Sequence, residues 1–120
     1  MEREDLKKRT KQFALRIIRL ANTLQEKGES ARTLAKQILR SGTSIGANYR
    51  AACIAKSDND YINKLKICEE EADETSYWLE LLGESKLIAE ELLTNLHDES
   101  RQLTAIITAS IKTKRRNMAN

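Results

Sequence analysis

Along the first 27 residues the apolar positions step by four and three. Leu6, Thr10, Phe13, Ile17, Leu20 and Leu24 form one line, and Ala14, Ile18 and Ala21 widen it. This repeats the helical turn and covers about a third of a helix, the share that a bundle helix buries. Gly28 is read as the glycine ending this helix and Ser30 as the cap of the next. The second segment holds "SGTSIGANYRAAC", whose Gly42, Thr43, Ser44, Gly46 and Asn48 are residues that usually punctuate a fold. Yet Leu34, Ile38, Ser41 or Gly42, Ile45, Tyr49 and Ala52 carry one stripe through it without a break in phase. A loop would normally reset that phase. The stretch therefore predicts a continuous helix over about 31–55, with a loop around Gly42 to Gly46 as the alternative. Each glycine costs a helix roughly 1 kcal/mol relative to alanine, which close packing has to offset.

Ser57 then reads as an N-cap with Asp60 at the third helical position. Tyr61, Leu65, Cys68, Ala72, Thr75, Leu79 and Leu82 make the third seam, with Gly83 closing the helix. A fourth helix is expected from about residue 88, with Glu90 and Glu91 suited to its N-terminal dipole. Its stripe is Leu92, Leu96, Glu99, Leu103, Ile106 and Ser110, flanked by Leu93, Ile107 and Ile111. The expected spans are 3–27, 31–55, 58–82 and 88–114, with a basic tail over 112–120. Short links between long helices predict an all-α, antiparallel up-down-up-down four-helix bundle forming a single domain over 1–120.

Composition agrees with helices: there is no proline, and charged residues make up 32% of a chain rich in Leu, Ile, Ala, Glu, Lys and Arg. The apolar runs are too short to cross a bilayer, and no secretory signal is read, so a soluble, cytoplasmic protein without membrane contact is expected. Cys53 and Cys68 are offset by roughly 10 Å along the bundle axis, too far for a disulfide, and are read as packing residues.

Four segments, "RSGTSIGANYRAA", "SDNDYINKLKI", "EEADETSYWLELL" and "DESRQLTAIITASIKT", resemble the bacterial four-helix-bundle proteins encoded in 23S rRNA intervening sequences. The likeness spans nearly the whole chain and keeps the spacing between segments. That family is similar in fold to the accessory protein of diversity-generating retroelements, which binds nucleic acid and a reverse transcriptase. The resemblance implies a homopentameric ring, with RNA or DNA and, by analogy, a reverse transcriptase as partners. The chain departs from the family pattern at Ala51, where a glutamate is expected after "NYR", so no role for an acid is carried over to that position.

Matching helical levels across the turns places Arg16, Arg40, Glu71, Glu74 and Glu99 in one layer. Because Glu99 stands on an apolar stripe, this predicts buried carboxylates neutralised by two arginines, as a lone buried charge costs several kcal/mol. The sharper alternative, a carboxylate metal centre, needs a glutamate three residues before a histidine, whereas the only histidine, His97, follows Thr94 at that spacing. His97 is read as a surface residue. No serine or cysteine shares a layer with His97, and "GTSIG" lacks the lysine of a phosphate-binding loop. The sequence therefore predicts a non-enzyme requiring no metal or cofactor.

The charge is unevenly spread. Residues 1–13, 48–67 and 105–120, which the antiparallel arrangement brings to one end, carry 13 basic against 5 acidic side chains, and the remainder carries 8 against 13. Lys7, Lys8, Lys11, Arg50, Lys56, Lys64, Lys112, Lys114, Arg115 and Arg116 are the candidate nucleic-acid contacts, since neutralising phosphates releases condensed counterions. Few aromatic platforms are available for base stacking, so binding is expected to be directed at the backbone and sensitive to salt. Tyr61 is assigned to the core. Tyr77 and Trp78 face different sides of their helix: Tyr77 is a candidate oligomer interface, and Trp78 a core residue or part of that interface. The small face of Gly42, Gly46 and Ala47 serves either a neighbouring subunit or equally packing within the bundle. An adaptor ring that scaffolds a protein partner without nucleic acid is the competing function.

Overall fold

The computed structural model describes residues 1–120 as four helices: α1 (Arg3–Leu24), α2 (Glu29–Cys53), α3 (Asp58–Glu84) and α4 (Glu90–Ala119). They run up-down-up-down in a rod of 52 × 22 × 20 Å. Cross-contacts fix the directions. Gly42 meets Ile17 and Gly46 meets Thr10, so α2 descends along α1. Thr75 stands 2.9 Å from Ser41, and the Cys68 thiol donates to the Ile45 carbonyl, so α3 reverses α2. Ser76 and Ser100 share a 2.7 Å hydrogen bond, and Thr108 donates to Glu69, so α4 reverses α3. Each helix packs closely on the next in sequence, while α1 and α4 stay further apart.

The segment 41–53 lies wholly within α2. Its polar residues do not break the helix because their donors turn back onto it. Thr43 donates to the Leu39 carbonyl at 2.7 Å, Ser44 to Arg40 at 2.6 Å and Asn48 to Ser44 at 2.9 Å. The glycines are explained by α1: a Cβ on Gly42 would lie 2.8 Å from both γ carbons of Ile17, and one on Gly46 3.2 Å from Thr10 Oγ1. Of the two roles expected for Gly42 and Gly46, an oligomer contact or packing within the bundle, the structure shows the second, at the α1–α2 contact inside one chain. Removing a side chain at such a crossing is what lets two backbones approach.

The helix ends differ from expectation. Helix α1 stops at Leu24, and Gly28, at φ 107°, becomes the N-cap of α2, leaving Ser30 inside that helix. Ser57 caps α3 as expected, accepting from the Asp60 N–H at 3.0 Å. Gly83 does not end α3. It is buried where α4 crosses, and Lys86 takes the left-handed turn at φ 64°. The basic tail is the last turns of α4.

Helix α4 is rotated by one residue from the expected face. It buries Leu93, Leu96, Ser100, Leu103, Ile107 and Ile111, leaving Leu92 77% exposed and Glu99 only half-buried. On α3, Ile62 takes the core position assigned to Tyr61. No helix is long and apolar enough to cross a membrane.

The expected buried ionic layer is consequently absent as such. Arg40 binds Glu71 and Glu74 on the outer α2–α3 surface, where its side chain is 49% exposed. Glu99 binds Arg9, not Arg16, and Arg16 makes no ion pair. What lies inside are hydroxyls: Thr10, Ser41, Thr75, Ser76 and Ser100 are buried. Thr75 donates to the Glu71 carbonyl at 2.7 Å and Ser100 to His97 at 2.6 Å, and no buried side-chain polar atom lacks a partner. A hydroxyl that satisfies its own helix can be buried at little cost, whereas a carboxylate cannot.

Both thiols are free. Cys68 is fully buried, and that burial pushes its pKa up to about 12 from an ordinary 9.0. Cys53 is half-buried. A thiol reagent at neutral pH should therefore label Cys53 in the native protein and reach Cys68 only on unfolding, which mass spectrometry of the labelled peptides reads directly. The linkage has a defined sign. From pH 9 towards 12 the unfolded chain releases a proton that native Cys68 retains, so stability should fall across that window. Denaturant titrations of the native chain and Cys68→Ala at both ends of it should show a shallower fall in the variant.

Candidate functional site

Both chain termini and the α2–α3 turn converge on one end of the rod. The Arg3 guanidinium stands 4.9 Å from the centre of the Tyr61 ring and the Lys114 ammonium 5.6 Å from it. Lys114 also binds Asp58 at 2.9 Å. A hollow there is lined by Arg3, Cys53, Lys56, Asp58, Tyr61 and Lys114. Tyr61 is thus a half-buried ring flanked by cations, not a core residue.

The ten basic candidates separate by what holds them. Lys7 is paired with Glu4 at 3.1 Å and Lys114 with Asp58. Lys8, Lys11, Arg50, Lys56, Lys64, Lys112, Arg115 and Arg116 have no carboxylate within ion-pair reach, and all of these except half-buried Lys64 are exposed. Unpaired cations at one end of a molecule give that end a positive field, which attracts polyanions from beyond contact distance.

Four of the candidates come together more closely than the sequence indicated. Lys7, Lys8, Lys11 and Arg50 surround a groove between α1 and α2 of about 520 Å³, with Thr10, Ala14, Thr43, Gly46 and Ala47 among its lining. The close α1–α2 contact at Gly46 and the small residues beside it leave space that larger side chains would fill. Lys112, Arg115 and Arg116 stand instead on the exposed surface of the last turns of α4.

Arg9 was not among the candidates, and it performs a structural task. Its Nε and Nη2 donate to the two oxygens of Glu99, each at 2.7 Å, and Nη2 also donates to Gln102 Oε1 at 2.6 Å. The hydrogen bond to Glu99 holds the Arg9 pKa above even its ordinary high value. This fork bridges α1 and α4, the one neighbouring pair that does not pack closely. The opposite end of the rod is acidic: Glu80, Glu84, Glu90 and Asp98 surround His97, whose Nε2 lies 3.1 Å from Glu80.

Tyr77 is 52% exposed, and its ring packs edge-on against Trp78 at 5.1 Å. Trp78 is half-buried and donates its indole N–H to Glu74 at 3.1 Å. Of the proposed oligomer contacts, Gly42 is buried, Gly46 lines the α1–α2 groove, and this aromatic pair presents the larger surface.

These features define a class: a small all-α bundle, electrostatically polarised along its axis, with a cationic groove and no grouping of His, Cys, Asp and Glu arranged to hold a metal. The chain belongs to the 23S rRNA-intervening sequence protein family, whose pattern it matches over residues 2–109. It is also similar to a crystal structure of a protein of unknown function from the S23 ribosomal protein family of Bacteroides thetaiotaomicron VPI-5482. The two share 42% identity with a TM-score of 0.83, over 89% of this chain and 98% of that one. No curated protein shows significant similarity to the chain.

Proposed function

We propose that this chain is a non-enzymatic, self-associating helical bundle that binds RNA or DNA through the phosphate backbone at its basic end. The observation that carries this reading is the set of cations at that end left without carboxylate partners. Cations without an ion pair occur elsewhere on the surface as well, but at this end basic side chains outnumber acidic ones, whereas Arg40 and Arg9 are each held by carboxylates. A cluster left unmatched is available to an outside anion. The family description, which ties these proteins to intervening sequences in 23S rRNA, favours a nucleic acid over other polyanions and a role near RNA processing or a mobile element.

Self-association is part of the proposal. Tyr77 presents a large, half-exposed ring beside Trp78, and a cyclic homopentamer would bury it while directing five basic ends to one side. Like charge on the basic faces would keep two such rings from stacking face to face. An adaptor ring that holds a protein partner without nucleic acid is the competing reading, and the same exposed aromatic pair would suit it.

Purification from cells at low salt, without nuclease, separates the two. Nucleic-acid binding predicts co-eluting material that absorbs at the nucleic-acid maximum and is removed by nuclease or high salt. A protein partner recovered with no nuclease-sensitive material would contradict it.

A further inference from the structure

We infer that the groove between α1 and α2, rather than the basic end of α4, is the seat of the phosphodiester backbone. This rests on the nucleic-acid reading above and narrows it to one surface. Lys8, Lys11 and Arg50 would hold the phosphates, with Lys7 partly neutralised by Glu4 at the groove mouth.

Apart from the hollow at Tyr61, where Asp58 already neutralises Lys114, two surfaces at this end are cationic, and their shapes differ. Lys112, Arg115 and Arg116 project from a convex helix into water, where each charge is screened within about 8–10 Å at moderate salt. Lys7, Lys8, Lys11 and Arg50 instead rim a concavity of about 520 Å³. Protein walls of low dielectric focus the field inside a cleft, so an anion there feels several cations at once. Lys7 and Lys11 are four apart on one helix face, with Lys8 beside them and Arg50 on the opposite wall.

The floor sets what such a site can recognise. Thr10 has spent its hydroxyl proton on the Leu6 and Lys7 carbonyls, at 2.9 and 3.1 Å, and Thr43 has spent its own on Leu39 at 2.7 Å. Gly46, Ala47 and Ala14 offer no polar side chain. The groove therefore supplies mobile cations at the rim and no fixed donor beneath them. It can grip a backbone but cannot read bases, since sequence is read by donors and acceptors aimed at base edges.

Ala47 is exposed in this lining, and glutamate is a good helix former, so Ala47→Glu places a carboxylate in the groove without disturbing the core. Ala105→Glu makes the same charge change on the exposed surface of α4. Fluorescence anisotropy with mixed-sequence single-stranded RNA and DNA oligonucleotides should show Ala47→Glu weakening binding by about tenfold or more, the scale of one close like charge. Ala105→Glu should change it by less than about twofold, the weak effect of an exposed charge. Glu4→Gln should tighten binding by about two- to fivefold by freeing Lys7, a gain that misfolding cannot mimic. Replacing Lys8 and Lys11 together with alanine should reduce the log–log salt slope by about 1.4 to 1.8.

Equal effects of the two glutamates would overturn the assignment while leaving the broader reading standing. So would normal binding by Ala47→Glu together with loss on neutralising Lys112, Arg115 and Arg116. Absence of oligonucleotide binding by the unaltered chain, or its preference for an acidic polypeptide such as polyglutamate, would overturn both.

Discussion

Replacing Gly42 with valine should destabilise the fold by about 2 to 3 kcal/mol, the usual scale of overpacking in a core. A single added Cβ at this position already meets both γ carbons of Ile17 at 2.8 Å and its β carbon at 3.2 Å. Ile17 is fully buried, and its branched side chain has essentially one rotamer available in a helix, so it cannot swing aside. The helices must separate instead, and every contact along the α1–α2 seam then loosens. Valine's better helix propensity returns only a few tenths of a kcal/mol. A thermal midpoint about 10 °C lower is expected, since one kcal/mol moves a domain of this size by a few degrees. Ile17→Ala in the valine background should recover part of the loss as a coupling of about 1 kcal/mol or more. Gly46→Ala should be close to neutral, because its 3.2 Å approach to Thr10 is offset by the gain of about 1 kcal/mol in helix propensity. A Gly42→Val protein within about 0.5 kcal/mol of the original, the scale of an ordinary surface change, would mean that α1 and α2 do not cross there.

Arg9→Met should cost about 2 kcal/mol, the scale of a charge-assisted, bidentate hydrogen bond. The Arg9–Glu99 fork is partly shielded, with 26% and 19% of the two side chains exposed, so screening by water weakens it less than an open surface pair. It also bridges the neighbouring helices that pack least closely, so little else replaces it. Lysine at this position should restore less than half the loss, because an ammonium cannot present two parallel donors to a carboxylate. Lys8→Met removes a positive charge from the same helix without breaking an ion pair, and it should be nearly neutral. Equal stabilities for the Arg9 and Lys8 variants in urea titrations would show that the fork holds nothing.

The helices and their order were legible because apolar periodicity survives in every segment, including the unbroken phase through residues 41–53. The face of α4 was not. Leu92 and Ile106 make a second stripe as apolar as the one formed by Leu93, Ile107 and Ile111, and periodicity alone cannot choose between them. Chemistry could have chosen, since the stripe with Leu92 includes Glu99 and the one with Leu93 includes Ser100, and burying a serine is far cheaper than burying a carboxylate. The levels assigned to Arg40, Glu71 and Glu74 agree with the ion pairs observed, but level does not reveal whether a side chain faces in or out.

Glycines 42 and 46 signalled close approach correctly and gave no sign of which helix approaches. That depends on Ile17 and Thr10, which lie far away in sequence and come close only when α1 and α2 pair. The basic end was legible as a count of charges. Its division into a groove and a convex tail was not, because concavity depends on the α1–α2 spacing and on how small Gly46 and Ala47 are beside long lysines. Arg9 was hidden by being one cation among several near the N-terminus, and only the rotation of α4 shows that Glu99 meets it.

A salt titration of binding to a mixed-sequence RNA tests the central proposal most directly. The account predicts that log K falls linearly with log salt, with a slope of about −3 or steeper for four or more neutralised phosphates, and that scrambling the sequence leaves affinity unchanged. Binding that is flat across the salt series, specific to one sequence, or absent at low salt would contradict it.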